Sequence, residues 1–427
     1  MWALALVVGA LVAILVALFG TLVTYAQFLA YGAASGRLSS RLLDLEWWKL
    51  LIGPIVGGAI ISLLLRAGIS IGWGPAPRPF GLQDVLQHRR LRGSIRSTTL
   101  SLRDSFLSVL VSIVSLGWGG SAGREEPVAH MGASLGVLHG RLLGLDIAAR
   151  RMLLAMGVAA AISASLHAPI AGVLLASELI LRRVRLTALG PVVIASVSSW
   201  LAATWLMGSR PLIALPDVGE ITHLAHLSGL IALPLLVMFG WMASVIWARA
   251  PILASSAAGR VGLPLWLMPV VGGALLGVIA LAFPQVLGVG FEPLAAAVAG
   301  NYGAEFMPVL LVAKIAAAAV TISFRWGGGP IAPALFIGAM AGSSLAIVAG
   351  LLFGMPAPQV YLGVLGMAVC VAVLLDAPLA AAVLAFELSG SPEIGGASLL
   401  ACYVGCMAVR RLAPMPSEET GQTLRWR

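Results

Sequence analysis

Residues 165–179 read SLHAPIAGVLLASEL, and residues 374–388 read LLDAPLAAAVLAFEL. Eight of the fifteen positions match, among them Ala168 with Ala377, Pro169 with Pro378, Ala171 with Ala380 and Glu178 with Glu387. Alanine-rich apolar helices share alanine and leucine by chance; a proline and a glutamate at the same spacing are a stronger sign. Upstream, Pro127-Val-Ala-His-Met-Gly132-Ala133 parallels Pro333-Ala-Leu-Phe-Ile-Gly338-Ala339. Two repeats whose helices are interrupted at matching positions point to a transporter with its site between them, near mid-membrane. The repeats are expected over 1–207 and 226–413, divided near 208–225, where Gly208, Pro211, Pro216 and Gly219 break the hydrophobicity.

Composition supports the membrane reading. Of 427 residues, 60% are hydrophobic and 10% charged, and the mean hydropathy is +1.01. A soluble chain of this length needs far more polar surface. A span takes about 20 apolar residues, and such runs recur at 1–30, 48–66, 150–181, 187–207, 226–248, 263–283, 306–324 and 395–413. Runs 104–117 and 359–375 are shorter. With 50 Gly and 24 Pro, broken and half-length helices are expected, and irregular backbone at membrane depth is tolerated only where protein buries it or it lines a cavity. The expected fold is therefore a single all-α multi-pass transmembrane domain over 1–427, with inverted-topology repeats and a short cytoplasmic tail at 414–427. The first apolar run is too long and lacks the basic flank of a cleaved signal peptide, so it reads as the first span.

The net charge of +9 comes from short loops and does not signal nucleic-acid binding. Arg78, Arg89, Arg90, Arg92, Arg96 and Arg103 share one loop, Arg182, Arg183 and Arg185 another, and Arg410, Arg411, Arg425 and Arg427 lie near the end. The positive-inside rule assigns these to the cytoplasm, in an inner or plasma membrane. Cys370, Cys402 and Cys406 sit in apolar segments without a disulfide or metal pattern. No metal and no cofactor are expected.

Gly123-Arg124-Glu125-Glu126-Pro127 places two carboxylates and an arginine inside this apolar chain. Ionisable groups at membrane depth are costly and face cavities or ion paths. Pro127 is expected to open a helix, whose free N–H groups attract anions. Glu125 then acts as a tethered anion that lets go when protonated, a gate and a proton acceptor together. Two adjacent carboxylates resist double ionisation, which makes Glu126 a second proton acceptor. His130 is a candidate relay, although a lone membrane histidine is usually a packed, hydrogen-bonded group. Glu178 and Glu387, being repeat-related, read as helix-end or interhelical structure. Gly119-Gly120-Ser121-Ala122-Gly123 fits the G-x-S-x-G pattern of hydrolases, which requires a strand before it and a helix after; an intramembrane serine hydrolase is a remote alternative.

On these motifs the chain resembles the CLC family of chloride channels and proton/chloride antiporters, over nearly its whole length. Gly123-Arg124-Glu125-x-Pro127 matches the gating segment. Gly329-Pro330-Ile331-Ala332-Pro333 is similar to G-x-F-x-P, and Gly72-Trp73-Gly74-Pro75 stands at the place of G-S-G-I-P. The resemblance implies a homodimer in the bilayer, with one anion pathway per subunit. Anion contacts are implied at Trp73, Gly74, Glu126, Val128 and Ile331. The departures bear on function. Trp73 replaces a serine, and Pro330 has no N–H to offer, leaving Ile331 as donor. The place of the site-closing tyrosine falls near Glu418. Leu179 stands where many antiporters carry the glutamate for internal proton entry. A weakened central anion site is expected. The functional expectation is proton-coupled exchange of chloride or a similar small anion, gated by Glu125. The alternatives are a passive voltage- or pH-gated chloride channel and a non-conducting sensor that keeps the fold.

Overall fold

Interruptions in the apolar pattern become the joints between helices. The computed structural model describes residues 1–33, 36–70, 85, 100, 102–182, 189–209, 213, 215, 223–353 and 359–412. In chain order the helices of the first half are α1 (Trp2–Tyr31), α2 (Leu38–Leu43), α3 (Trp47–Ser70), α4 (Leu102–Gly117), α5 (Glu125–Leu142), α6 (Ile147–Leu166), α7 (Pro169–Ala176) and α8 (Gly190–Met207). The second half holds α9 (His223–Val261), α10 (Met268–Ala282), α11 (Phe291–Val298), α12 (Phe306–Ser323), α13 (Ile331–Phe353), α14 (Gln359–Leu375), α15 (Pro378–Ser389) and α16 (Pro392–Leu412). Among the described residues there is no strand; Gly123 and Gly329 form an isolated antiparallel bridge.

Among the described residues, eight helices are long and apolar enough to cross a membrane. Their outer faces carry Leu63, Trp205, Leu253, Val312 and Leu351, all strongly exposed. Such a surface is stable against lipid and not against water. The protein is a multi-pass membrane protein.

The run 150–181 is not one span. It breaks after Leu166, and the reason is local. His167 has φ 54°, in the left-handed region, and Ala168 before Pro169 is pushed to φ −124°, ψ 79°, as a residue preceding proline must be. The related position behaves alike: Asp376 has φ 52°, and Ala377 before Pro378 has φ −131°, ψ 71°. Both joints are closed by the same bond, Ala168 N–H to the Ser163 carbonyl at 3.3 Å and Ala377 N–H to the Ala372 carbonyl at 3.2 Å.

The two halves pack by matching contacts. In α5 and α6, a Cβ on Gly132 would collide with the Gly157 carbonyl; in α13 and α14, one on Gly338 would collide with the Gly366 carbonyl. Close approach of two backbones is what glycine allows at a membrane helix interface. Helices α3 and α10 show the same reciprocity, with Gly58 against the Pro269 carbonyl and Gly273 against the Pro54 carbonyl.

Candidate functional site

The site forms where the two repeats touch. Gly123 N–H donates to the Gly329 carbonyl at 2.7 Å, and Gly329 N–H returns a bond to the Gly123 carbonyl at 2.9 Å. The two glycines are repeat-related, and a reciprocal pair of bonds between equivalent residues places them on a local two-fold axis. Flanking bonds follow the same pairing. The Ser115 hydroxyl donates to the Gly327 carbonyl at 2.6 Å, and Ser121 N–H donates to the Thr321 hydroxyl at 3.0 Å. This clasp brings the starts of α5 and α13 together, so two sets of helix-opening N–H groups share one region.

Helix α5 begins at Glu125, two residues before Pro127. The proline is still in the first turn, where its missing N–H costs nothing, and Glu125 belongs to the helix instead of preceding it. Glu125 is fully buried, and neither carboxyl oxygen has a hydrogen-bond partner among the described residues. A Cβ on Gly123 would collide with the Glu125 Oε2 and would stand 3.1 Å from the Ala332 amide nitrogen, so the carboxylate lies near the start of α13.

Glu126 is buried as well, and its side chain lies flat across Gly329, where any Cβ would displace it. Arg124 is tied to other parts of the chain. Its Nη2 donates to the Ser165 carbonyl at 3.2 Å, and its guanidinium stands 5.9 Å from the centre of the Phe291 ring. Val128 is buried in the first turn of α5, and Ile331 is buried as the first residue of α13. The next helical bond of α13 runs from Ala334 N–H to the Pro330 carbonyl, so Ile331 and Ala332 offer the free N–H groups there. Trp73 and Gly74 lie outside the described residues.

Below Ile331 is a small cavity walled by apolar side chains, among them Leu166, Leu175, Leu375, Ala380 and Leu384. Leu179 is buried in a wide π-type turn, Ser177–Leu181. Beside it, the Glu178 carboxylate accepts from the N–H groups of Leu379 and Ala380, a helix-capping role. His130 is fully buried, with Nδ1 3.0 Å from the Ser105 hydroxyl. Gly119–Gly123 is irregular backbone between two helices, and the strand that a nucleophile elbow needs is not present there.

One charged residue escaped the sequence reading. Lys314, on α12, is fully buried. Its Nζ donates to the carbonyls of Val286 and Gly288 at 3.0 Å each and of Val289 at 3.4 Å. It also stands 5.1 Å from the centre of the Phe336 ring. The available signal was a lone lysine inside the apolar run 306–324.

A family model described as voltage gated chloride channel matches residues 57–410. The chain is 28% identical over 395 residues to a putative chloride channel protein ClcB-like of Ralstonia nicotianae, covering 89% of this chain and 86% of that one. It is 28% identical over 434 residues to a voltage-gated ClC-type chloride channel ClcB of Salmonella typhi, covering 96% and 95%. Among solved structures, a slow cyanobacterial Cl−/H+ antiporter superposes with a TM-score of 0.84 at 21% identity, over 99% of this chain and 97% of that one. A CLC-type fluoride/proton antiporter superposes with a TM-score of 0.73 at 22% identity, over 95% and 94%.

Proposed function

Because the chain belongs to the voltage gated chloride channel family, the CLC family, we propose that it exchanges chloride for protons, with Glu125 as gate and proton acceptor. The carrying observation is a fully buried carboxylate with no hydrogen-bond partner among the described residues, set where two helix starts converge. An ionised carboxylate there competes with an anion for the same N–H groups; a protonated one releases them. Anions are held by the N–H groups of Glu126, Val128 and Ile331, by dipoles rather than full charges, so that they can leave again. Glu126, folded across Gly329, is the second proton acceptor. Chloride is the proposed anion. The protein acts as a homodimer in the inner membrane, with the arginine-bearing loops and the C-terminus in the cytoplasm.

The second reading is a passive channel. Leu179, buried and apolar, favours it, because it withholds the usual internal proton acceptor. The deciding measurement uses purified protein in liposomes under a chloride gradient with no pH gradient. Uphill proton movement supports exchange. Robust chloride flux without proton movement overturns it in favour of the channel.

A further inference from the structure

A proton that reaches Glu126 from the loop-bearing side needs polar groups along its way. The cavity beneath Ile331 offers none, since its walls are apolar. The seam between α4 and α5 is different. Ser105, Ser108, Ser112 and Ser115 follow one another by three, four and three residues on α4, which puts them on one helical face. All four are buried to 1% exposure or less. On α5, Glu126, His130 and Ser134 recur every four residues, again one face, and all are buried.

The two faces meet. The Ser105 hydroxyl is 3.0 Å from His130 Nδ1 and 2.7 Å from the Ser134 hydroxyl. At the other end, Ser115 bonds the Gly327 carbonyl, two residues from the glycine that carries the Glu126 side chain. From Ser105 to Ser115 the seam rises about 15 Å at 1.5 Å per residue. His130 stands four residues from Glu126 on the same face, about 6 Å along the axis, a span that a bridging water can cover.

We propose that this seam is a proton wire in which Ser105 passes protons to His130 and His130 passes them to Glu126, from which they reach Glu125. The proposal rests on the exchange reading above. The chemistry balances without any co-reactant. A hydroxyl accepts one proton on a lone pair and gives up its own. The imidazole takes a proton at one ring nitrogen and releases the proton of the other. Before the next proton follows, the hydroxyl returns to its starting state by rotating and the imidazole by exchanging its tautomer, and the net change is one proton moved along the seam. Ser112 donates to the Ser108 carbonyl at 2.7 Å, so part of the stripe also serves the helix backbone.

The experiment follows chloride and proton fluxes together in liposomes for the parent, His130→Gln and Ser105→Ala. Glutamine keeps a polar group of similar size beside Ser105 but cannot take up and release a proton. His130→Gln is expected to lower proton flux at least about ten-fold while chloride flux stays within about two-fold of the parent. Ser105→Ala, nearly isosteric, is expected to give the same split at smaller size. An unchanged proton-to-chloride ratio in both variants, with a coupled parent, overturns the wire alone. Chloride and proton flux falling in step in both variants marks the seam as scaffolding and overturns it too. A parent that moves no protons under robust chloride flux overturns the exchange reading and the wire with it.

Discussion

Glu178 and Glu387 each cap the start of the helix on which the other stands. Glu178 accepts from Leu379 N–H at 3.1 Å and Ala380 N–H at 2.8 Å. Glu387 accepts from Ile170 N–H at 2.8 Å and Ala171 N–H at 2.7 Å. The exchange satisfies four N–H groups that a helix start leaves open and sets negative charge at two positive dipole ends. It also ties the two repeats together, since each bond crosses from one to the other.

Removing one cap should therefore lower stability without touching transport chemistry. Glu387→Ala is expected to cost about 1.5–3 kcal/mol, the worth of a hydrogen bond to a charged group; Glu387→Gln, which keeps an acceptor, should cost less. Thermal unfolding in detergent measures the loss. The proton-to-chloride ratio in liposomes should stay that of the parent, and a changed ratio would assign these carboxylates a transport role.

The repeat was legible because Pro169, Pro378, Glu178 and Glu387 cannot be exchanged for other apolar residues without losing a joint or a cap. The joint at Ala168-Pro169 was legible from its proline, but the left-handed turn at His167 leaves no mark in a hydropathy pattern. For the same reason 150–181 reads as one run. The start of α5 was placed two residues late, since proline is tolerated anywhere in the first turn. Lys314 was overlooked because its partners are carbonyls, which no sequence pattern identifies. The α4 serines were visible as a spacing, but their meaning depends on α5 lying against them.

Glu125→Gln should behave as the protonated gate. In the parent, lowering the pH protonates the carboxylate, frees the helix-start N–H groups and raises chloride flux; raising the pH does the reverse. The variant is expected to show high flux that does not respond to pH, with no coupled proton movement. Chloride flux measured across a pH series checks it. A variant that retains the parent's pH response would remove Glu125 from the gate.

Gly123→Ala should disturb the gate without altering the carboxylate. The new Cβ would collide with Glu125 Oε2, so the carboxylate must shift. A partial loss of pH response is expected. If the methyl acts only through Glu125, adding it to Glu125→Gln should change flux little, whereas independent effects would add. Gly329→Ala offers the comparison, because its Cβ would displace Glu126 instead. It is expected to lower proton movement more than chloride movement.

Lys314 provides the last test, and its direction follows from weighing two costs. Its ammonium is fully buried and forms no ion pair among the described residues; the Val286, Gly288 and Val289 carbonyls and the Phe336 face surround it. Lys314→Met removes the buried charge, which favours the variant. It also strips three carbonyls of their donor, at about 1–3 kcal/mol for each left unsatisfied. Three such losses outweigh one gain, and the variant should unfold at lower temperature. The effect should reach the gate as well. The loop held by Lys314 contains Gly288, whose N–H bonds the Gly119 carbonyl at 3.3 Å, and it leads into Phe291 beneath Arg124. Lys314→Met is accordingly expected to lose chloride flux along with stability. Lys314→Arg should rescue little, because a planar guanidinium cannot replace a compact ammonium among three converging carbonyls. Thermal unfolding and chloride flux, measured on both variants, decide the matter: full stability in Lys314→Met would show that the carbonyls find other donors and that the lysine does not hold the loop.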